Sequence, residues 1–313
     1  MKHILKIATL CGALIFSMEA IAETTISFFN SKHHYANLSA EAIKQMVKNH
    51  IDVNQYKNVK VQIIYNADHQ PDHILVYLFS KKFHHVDITK IAMTNNLHSN
   101  KSVVQHYQLN SADLAEQPGI EAKAAACPDP SVEFISFAPN NDSYEVAKAE
   151  DVASTAEAHH LKTIRLLRDN ATRTNYLNYM SCPNLKGNFY DGDSNPEVIA
   201  TADGVIYSKD IDQLLRNQFR FKVVNIWLAC QAYNDPMKTS VMDTAQSQKY
   251  AAGINDLEIG PSDEAAACAM KAAIEGKPIT ASFQDCYNTF DRPKDGWVDN
   301  WGFGGSGSDY FGV

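Results

Sequence analysis

The sequence predicts an α/β protein: a mostly parallel sheet between layers of helices, preceded by a small α+β unit. Three observations carry that reading. From Pro130 onward, short apolar runs alternate with helical patterns, as the strands and crossovers of a parallel sheet do. Before Ser111, one amphipathic helix is combined with strand-like runs. Between them, residues 111–130 are rich in Ala, Glu and Pro, including Gln117-Pro118-Gly119 and Cys127-Pro128-Asp129-Pro130, which is the composition of a linker. At 313 residues the chain exceeds the usual size of one domain. The expected boundaries are a leader at 1–22, the α+β unit at 23–112, a linker at 113–130 and the α/β domain at 131–313.

The chain opens with Met1, Lys2, His3, continues apolar from Ile7 to Phe16, and reaches Ala20-Ile21-Ala22 before Glu23. A basic start, a short apolar core and a small-residue cleavage site form a secretory signal peptide. The apolar run is too short to span a membrane, so an exported protein, periplasmic or secreted and without an integral membrane segment, is expected. In the α+β unit, Thr24–Phe29 reads as a strand. Ser39 is placed to cap a helix carrying Ile43, Met46, Val47 and Ile51 on one face. Val59–Tyr65 and His73–Phe79 read as strands joined by a turn at Asn66–Pro71, and Val103–Leu109 as one more. A helix on a curled antiparallel sheet should result.

In the second half the expected strands are Val132–Ala138, Thr163–Leu167, Leu185–Tyr190, Lys222–Ala229 and Tyr250–Ile254. Helices are expected at Ser143–His160, Thr172–Met180, Asp210–Leu215, Ser262–Ile274 and Thr280–Tyr287, with Ser262 as a cap and Asp263 and Glu264 in its first turn. The Gly- and aromatic-rich tail, Trp297–Phe311, suggests a terminal strand.

The formal net charge is -8, and no basic run interrupts it. Nucleic acid and anionic membrane are thereby disfavoured as partners. Removal of the leader takes Cys11 with it and leaves Cys127, Cys182, Cys230, Cys268 and Cys286, an odd set in an oxidising compartment. No spacing among them resembles a zinc motif. Most histidines lie in the first unit, including the pairs His33-His34 and His84-His85. Neighbours on a strand point to opposite faces, so neither pair chelates alone. These histidines are expected to be exposed, and neither a metal nor another cofactor is expected.

Ligands of open α/β sheets bind beyond the carboxyl ends of the strands. Two loops satisfy that rule: Asp191-Gly192-Asp193-Ser194-Asn195-Pro196 and Cys230-Gln231-Ala232-Tyr233-Asn234. A cysteine just past a buried strand is where a thiol nucleophile is held rigidly, although a small core residue fits there as well. The first loop matches the opening positions of an EF-hand calcium loop at Asp191, Asp193 and Asn195. It fails at the sixth, Pro196, and the twelfth, Ala202. An ordinary Asx-rich turn is the simpler reading.

The order of these features, Asp169-Asn170-Ala171-Thr172-Arg173-Thr174-Asn175, then Gly192-Asp193-Ser194-Asn195-Pro196, then Ala229-Cys230, then Gly260-Pro261-Ser262-Asp263-Glu264, resembles the caspase-like cysteine peptidases, the superfamily of gingipains, clostripain and legumains. The likeness is clearest from Leu166 to Cys230. It implies a three-layer caspase-like domain with Cys230 as nucleophile, Asn195 and Gln231 at the substrate, and a peptide or protein as ligand. Where the family carries a His-Gly pair, this chain has Asp193, or Asp191 in an alternative register, and no histidine follows His160. An aspartate, with a reference pKa of about 3.9, neither protonates a leaving amine at neutral pH nor supports a thiolate. The resemblance therefore implies a degenerate homologue that binds peptide or protein without efficient cleavage. The alternatives are an active peptidase using a base borrowed from the N-terminal unit, and a structural or adhesive protein if the surroundings of Cys230 are closed. The family's sheet also sets the first and third strands side by side, which implies a Cys127–Cys182 pair; Cys268 and Cys286, on consecutive helical segments, would then staple those together and leave Cys230 free.

Overall fold

The computed structural model describes residues 24–29, 39–65, 71–92, 104–106, 126–216, 220, 222–244, 247–290 and 301–313. The expected leader, the turn at 66–70, the linker up to residue 125, the ends of the strand at 103–109, the start of the tail at 297–300 and the pair His33-His34 lie outside them.

The first unit is a five-stranded sheet in chain order: β1 (Ile26–Phe28), β2 (Tyr56–Tyr65), β3 (Pro71–Ser80), β4 (Val86–Ala92) and β5 (Val104–His106). Helix α1 (Ala40–His50) lies between β1 and β2, and Ser39 caps it by accepting the Ala42 N–H. Strands β2 to β5 pair antiparallel, but β1 pairs parallel with β2. This corrects the all-antiparallel expectation, since a helical crossover returns the chain in the same direction. Strand β3 is apolar on both faces. Ile74, Val76 and Leu78 pack with Ile43 and Val47 of α1, whereas Leu75, Tyr77 and Phe79 face the second half of the chain.

The second half builds a six-stranded sheet from β6 (Phe134–Ala138), β7 (Thr163–Leu167), β8 (Gly187–Asp191), β11 (Val224–Leu228), β12 (Lys249–Gly253) and β13 (Trp301–Gly304). Its order is β13-β12-β11-β8-β6-β7, parallel except for β13. The expected α/β class, with a mostly parallel sheet, is therefore present. Alternation along the strands produces two cores. Ile135, Phe137, Tyr190 and Trp227 pack with α3 (Arg173–Met180) and α4 (Ser208–Leu215). Phe134, Phe189, Val224 and Leu228 pack on the other face with α2 (Ser143–Ala158), α5 (Pro261–Ile274) and α6 (Ile279–Phe290).

Two details differ from expectation. Helix α5 begins at Pro261 after Gly260, so Ser262 is inside it and does not cap it. Proline suits the first helical position because its missing N–H needs no partner there. An additional hairpin, β9 (Val198–Thr201) and β10 (Gly204–Tyr207), precedes α4. Its Val198, Ala200, Val205 and Tyr207 meet Leu75, Tyr77, Phe79 and Val86, so the hairpin and the first sheet share a core.

Cys127–Cys182 and Cys268–Cys286 are disulfides, and Cys230 is free and buried. The first bridge spans neighbouring strands, because β6 pairs with β8. Closing loops of 55 and 18 residues removes unfolded-chain entropy worth about 4 and about 3 kcal/mol. Two such bridges suit an oxidising compartment. Among the described residues no helix is long and apolar enough to cross a membrane.

Candidate functional site

In the central sheet β7 lies on one side of β6 and β8 on the other, so the strand order reverses between β6 and β8. The crevice beyond the carboxyl ends of those two strands is where an open sheet offers a binding site. Asn140 follows β6, Asp191 ends β8 with Asp193 two residues on, and Cys230 lies two residues past β11.

Cys230 is held by main chain. Its Sγ accepts the Leu257 N–H at 2.9 Å and lies 3.8 Å from Leu257 O. The residue is 0% exposed. Burial pushes the thiol well above its usual range, the Leu257 N–H offsets part of that, and the charges of Asp256 and Asp193 add to it. Among the described residues the sulfur's hydrogen-bond partners are main-chain groups of Leu257, with no carboxylate or imidazole. Asp193, which stands where the family carries its histidine, acts on the thiol as a nearby charge. Gln231 has φ of 57°, a left-handed conformation costing about 1–3 kcal/mol for a residue with a side chain. Its amide donates to Asp256 Oδ1 at 3.0 Å.

The cover over Cys230 comes from the first sheet. The connection between β3 and β4, residues 81–85, crosses the ends of β8, β11 and β12. His84 N–H donates to Leu257 O at 3.1 Å, Val86 N–H to Ser194 O at 3.1 Å, and Ile259 N–H to Lys82 O at 3.2 Å. Phe83 bridges to Glu258 and His85 to Ser194 in β fashion. Two N–H groups converge on one acceptor: His84 O receives Cys230 N–H at 3.1 Å and Ser194 N–H at 3.2 Å. A carbonyl held by two main-chain donors beside a thiol has the arrangement of an oxyanion hole. Asn195 completes the grip, since its Nδ2 donates to Val86 O at 3.2 Å while its Oδ1 accepts the Glu197 and Val198 N–H groups. That Asx turn replaces the calcium-loop geometry.

Beneath the cover lies a buried charge cluster. Lys57, from β2, stands 3.0 Å from Asp193 Oδ2 and 3.3 Å from Glu145 Oε1. Asn140 Nδ2 donates to the same two carboxylates at 2.9 and 2.6 Å. Burial alone would lower the Lys57 pKa, but Asp193 and Glu145 outweigh it and hold the ammonium above its usual range. Burial raises Glu145 to about 7, against the pull of Lys57 and His84. His84 Nε2 lies 3.2 Å from Asp263 Oδ2, which also takes the Gly260 N–H at 2.6 Å. Burial lowers the imidazole, and Asp263 and Glu145 raise it to a net value above its usual range. Asp191 is fully buried, and its carboxyl is pushed far up by burial and then by Asp263 and Glu145.

No protein-family model matches the chain, and no curated protein matches it. Of the residues singled out from sequence, Asp191, Asp193, Asn195, Cys230 and Gln231 gather at one edge of the sheet. Gln231 is bound to Asp256 and Asn195 to the covering strand. His84 comes from the N-terminal unit, the expected source of a borrowed base, but its Nε2 faces Asp263; Glu145, Lys57 and Asp263 are not among the residues that the sequence places at the site. The expectation of exposed histidines fails at His84 (0% exposed) and His73 (5% exposed). His84 and His85, in the connection before β4, still diverge: His84 turns inward, and His85 turns to Asp87 and Asp256 at 3.0 and 3.3 Å. Glu145 and Asp263, distant in sequence, make burial of His84 tolerable.

Proposed function

We propose that the chain is an exported caspase-like homologue of cysteine peptidases that binds an extended polypeptide segment at its sheet edge and does not hydrolyse it. The observation that carries this reading is the capture of His84 O by the Cys230 and Ser194 N–H groups. The cleft treats residues 82–86 as a ligand, using main-chain bonds and strand-like bridges, which is how an extended peptide is bound at a sheet. Hydrolysis needs a thiolate and an acid to protonate the leaving amine. The sulfur instead accepts the Leu257 N–H and is buried. Removing the cover to admit a substrate would also remove His84 and His85, and no histidine follows His160 in the sequence. Burial of Cys230 also favours a second reading, in which the closed edge is purely structural.

The hydrolysis test is direct. Purified chain, intact and after cutting at a protease site introduced at Gln117, is incubated with a peptide library and then weighed. Neither peptide cleavage nor a fragment ending at His84 is expected. Cleavage that disappears in Cys230→Ala would overturn the reading. Competition by a synthetic peptide of residues 80–87 for the cut chain is expected under the binding reading, and its failure would favour the structural one.

A further inference from the structure

His84, Asp191 and Asp263 each place a possible ligand atom within 4.8 Å of the others, and all three are fully buried. Both oxygens of Asp191, Oδ1 of Asp263 and Nδ1 of His84 have no hydrogen-bond partner. Buried polar atoms in native proteins nearly always have one. Asp191 is the clearest case: a carboxyl group at the end of β8, sealed from solvent, with nothing bonded to either oxygen. Charge points the same way. Four buried carboxylates, Glu145, Asp191, Asp193 and Asp263, face two basic side chains, Lys57 and His84. Lys57 serves Glu145 and Asp193, which leaves Asp191 and Asp263 around a single imidazole.

We propose that His84, Asp191 and Asp263 form a binding site for a divalent cation of the zinc or manganese type. One imidazole nitrogen with two carboxylates is a donor set that suits such ions, whereas calcium takes six to eight oxygens. An ion on Nε2 would take the place of the hydrogen bond to Asp263, and Nδ1 would then face Glu145 Oε1, 3.8 Å away. Such a carboxylate is the usual partner of a ligating imidazole's second nitrogen. The three ligands come from the β3–β4 connection, the end of β8 and the first turn of α5, so the ion would fasten the covering segment to the sheet edge. This inference does not rest on the peptidase likeness.

The test uses the full chain, stripped with chelator and titrated separately with zinc, manganese and calcium by calorimetry and thermal melting. One zinc or manganese ion per chain is expected, with a rise in Tm of about 5 °C at a hundredfold excess over Kd and a weaker response to calcium. His84→Ala is expected to lose binding, but it also exposes the fold to an unpaired Asp263. Asp191→Asn is the cleaner variant, since it keeps the shape and removes a carboxyl group that has no hydrogen-bond partner. It is expected to fold with a Tm at or above that of the stripped wild type, and to bind the ion at least a hundredfold more weakly. A wild type that binds none of the three ions, or an Asp191→Asn chain that binds as the wild type does, would overturn the proposal. A proton held on Asp191 in place of an ion would give the first of those results. Competition by the 80–87 peptide for the cut, ion-free chain tests the cleft reading separately, because it needs no ion.

Discussion

Replacing Lys57 with methionine is expected to destabilise the chain by about 3–5 kcal/mol, read from chemical denaturation. The side chain reaches from β2 into the crevice between the ends of β6 and β8, where Glu145 and Asp193 are both fully buried. Removing the ammonium leaves two desolvated carboxylates whose remaining shared donor is Asn140. The cost is that of orphaned charge and exceeds what the ion pair contributes when intact. Adding Glu145→Gln to Lys57→Met should therefore recover a substantial part of the loss, because one of the orphaned charges disappears. A Lys57→Met chain as stable as the wild type would mean that water reaches the cluster.

Val86→Pro is expected to raise the rate of Cys230 alkylation under native conditions by about a hundredfold. The Val86 N–H donates to Ser194 O and lies where the cover meets the β8 loop. A proline there removes that donor and crowds the adjoining strand, lowering the free energy of local opening by about 3 kcal/mol. Labelling of a fully buried thiol proceeds through such openings, so its rate follows their population. Leu177→Ala, on the opposite face of the sheet from Cys230, provides the control. It should reduce overall stability with much less effect on labelling. Equal acceleration by both variants would show that Cys230 is reached only by global unfolding.

Much of the scaffold was legible in the sequence because it depends on local pattern. Thr163–Leu167 has the bounds of its predicted strand, and the run Lys222–Ala229 contains β11, whose apolar residues alternate between two buried faces. The Ser39 cap is equally local, since hydroxyl and N–H lie three residues apart. Strands β4, β9 and β10 escaped notice. Strand β4 carries Asp87, Thr89 and Lys90 among its apolar residues, and each strand of the β9–β10 hairpin has only four residues, too few for a period to show. At the site, Cys230 and the Asp191–Asn195 loop were visible because they follow strong strands. Lys57, Glu145 and Asp263 were not, nor was which histidine of the first unit would arrive, because each acquires its role from a partner 88 or more residues away, as in the Lys57–Glu145 and His84–Asp263 pairs. The closure of Cys230 belongs to the same class of fact: a thiol's exposure depends on which distant segment covers it.

The central claim is that the main-chain donors beside Cys230 hold the carbonyl of His84 as they would hold a bound peptide. Hydrogen exchange of the Cys230 and Ser194 amides tests it most directly. Both N–H groups end on the same oxygen, so the two amides should be protected to a similar degree in the wild type and should lose protection together in Val86→Pro. Fast exchange of either amide in the wild type, or protection of both that survives Val86→Pro unchanged, would contradict the account.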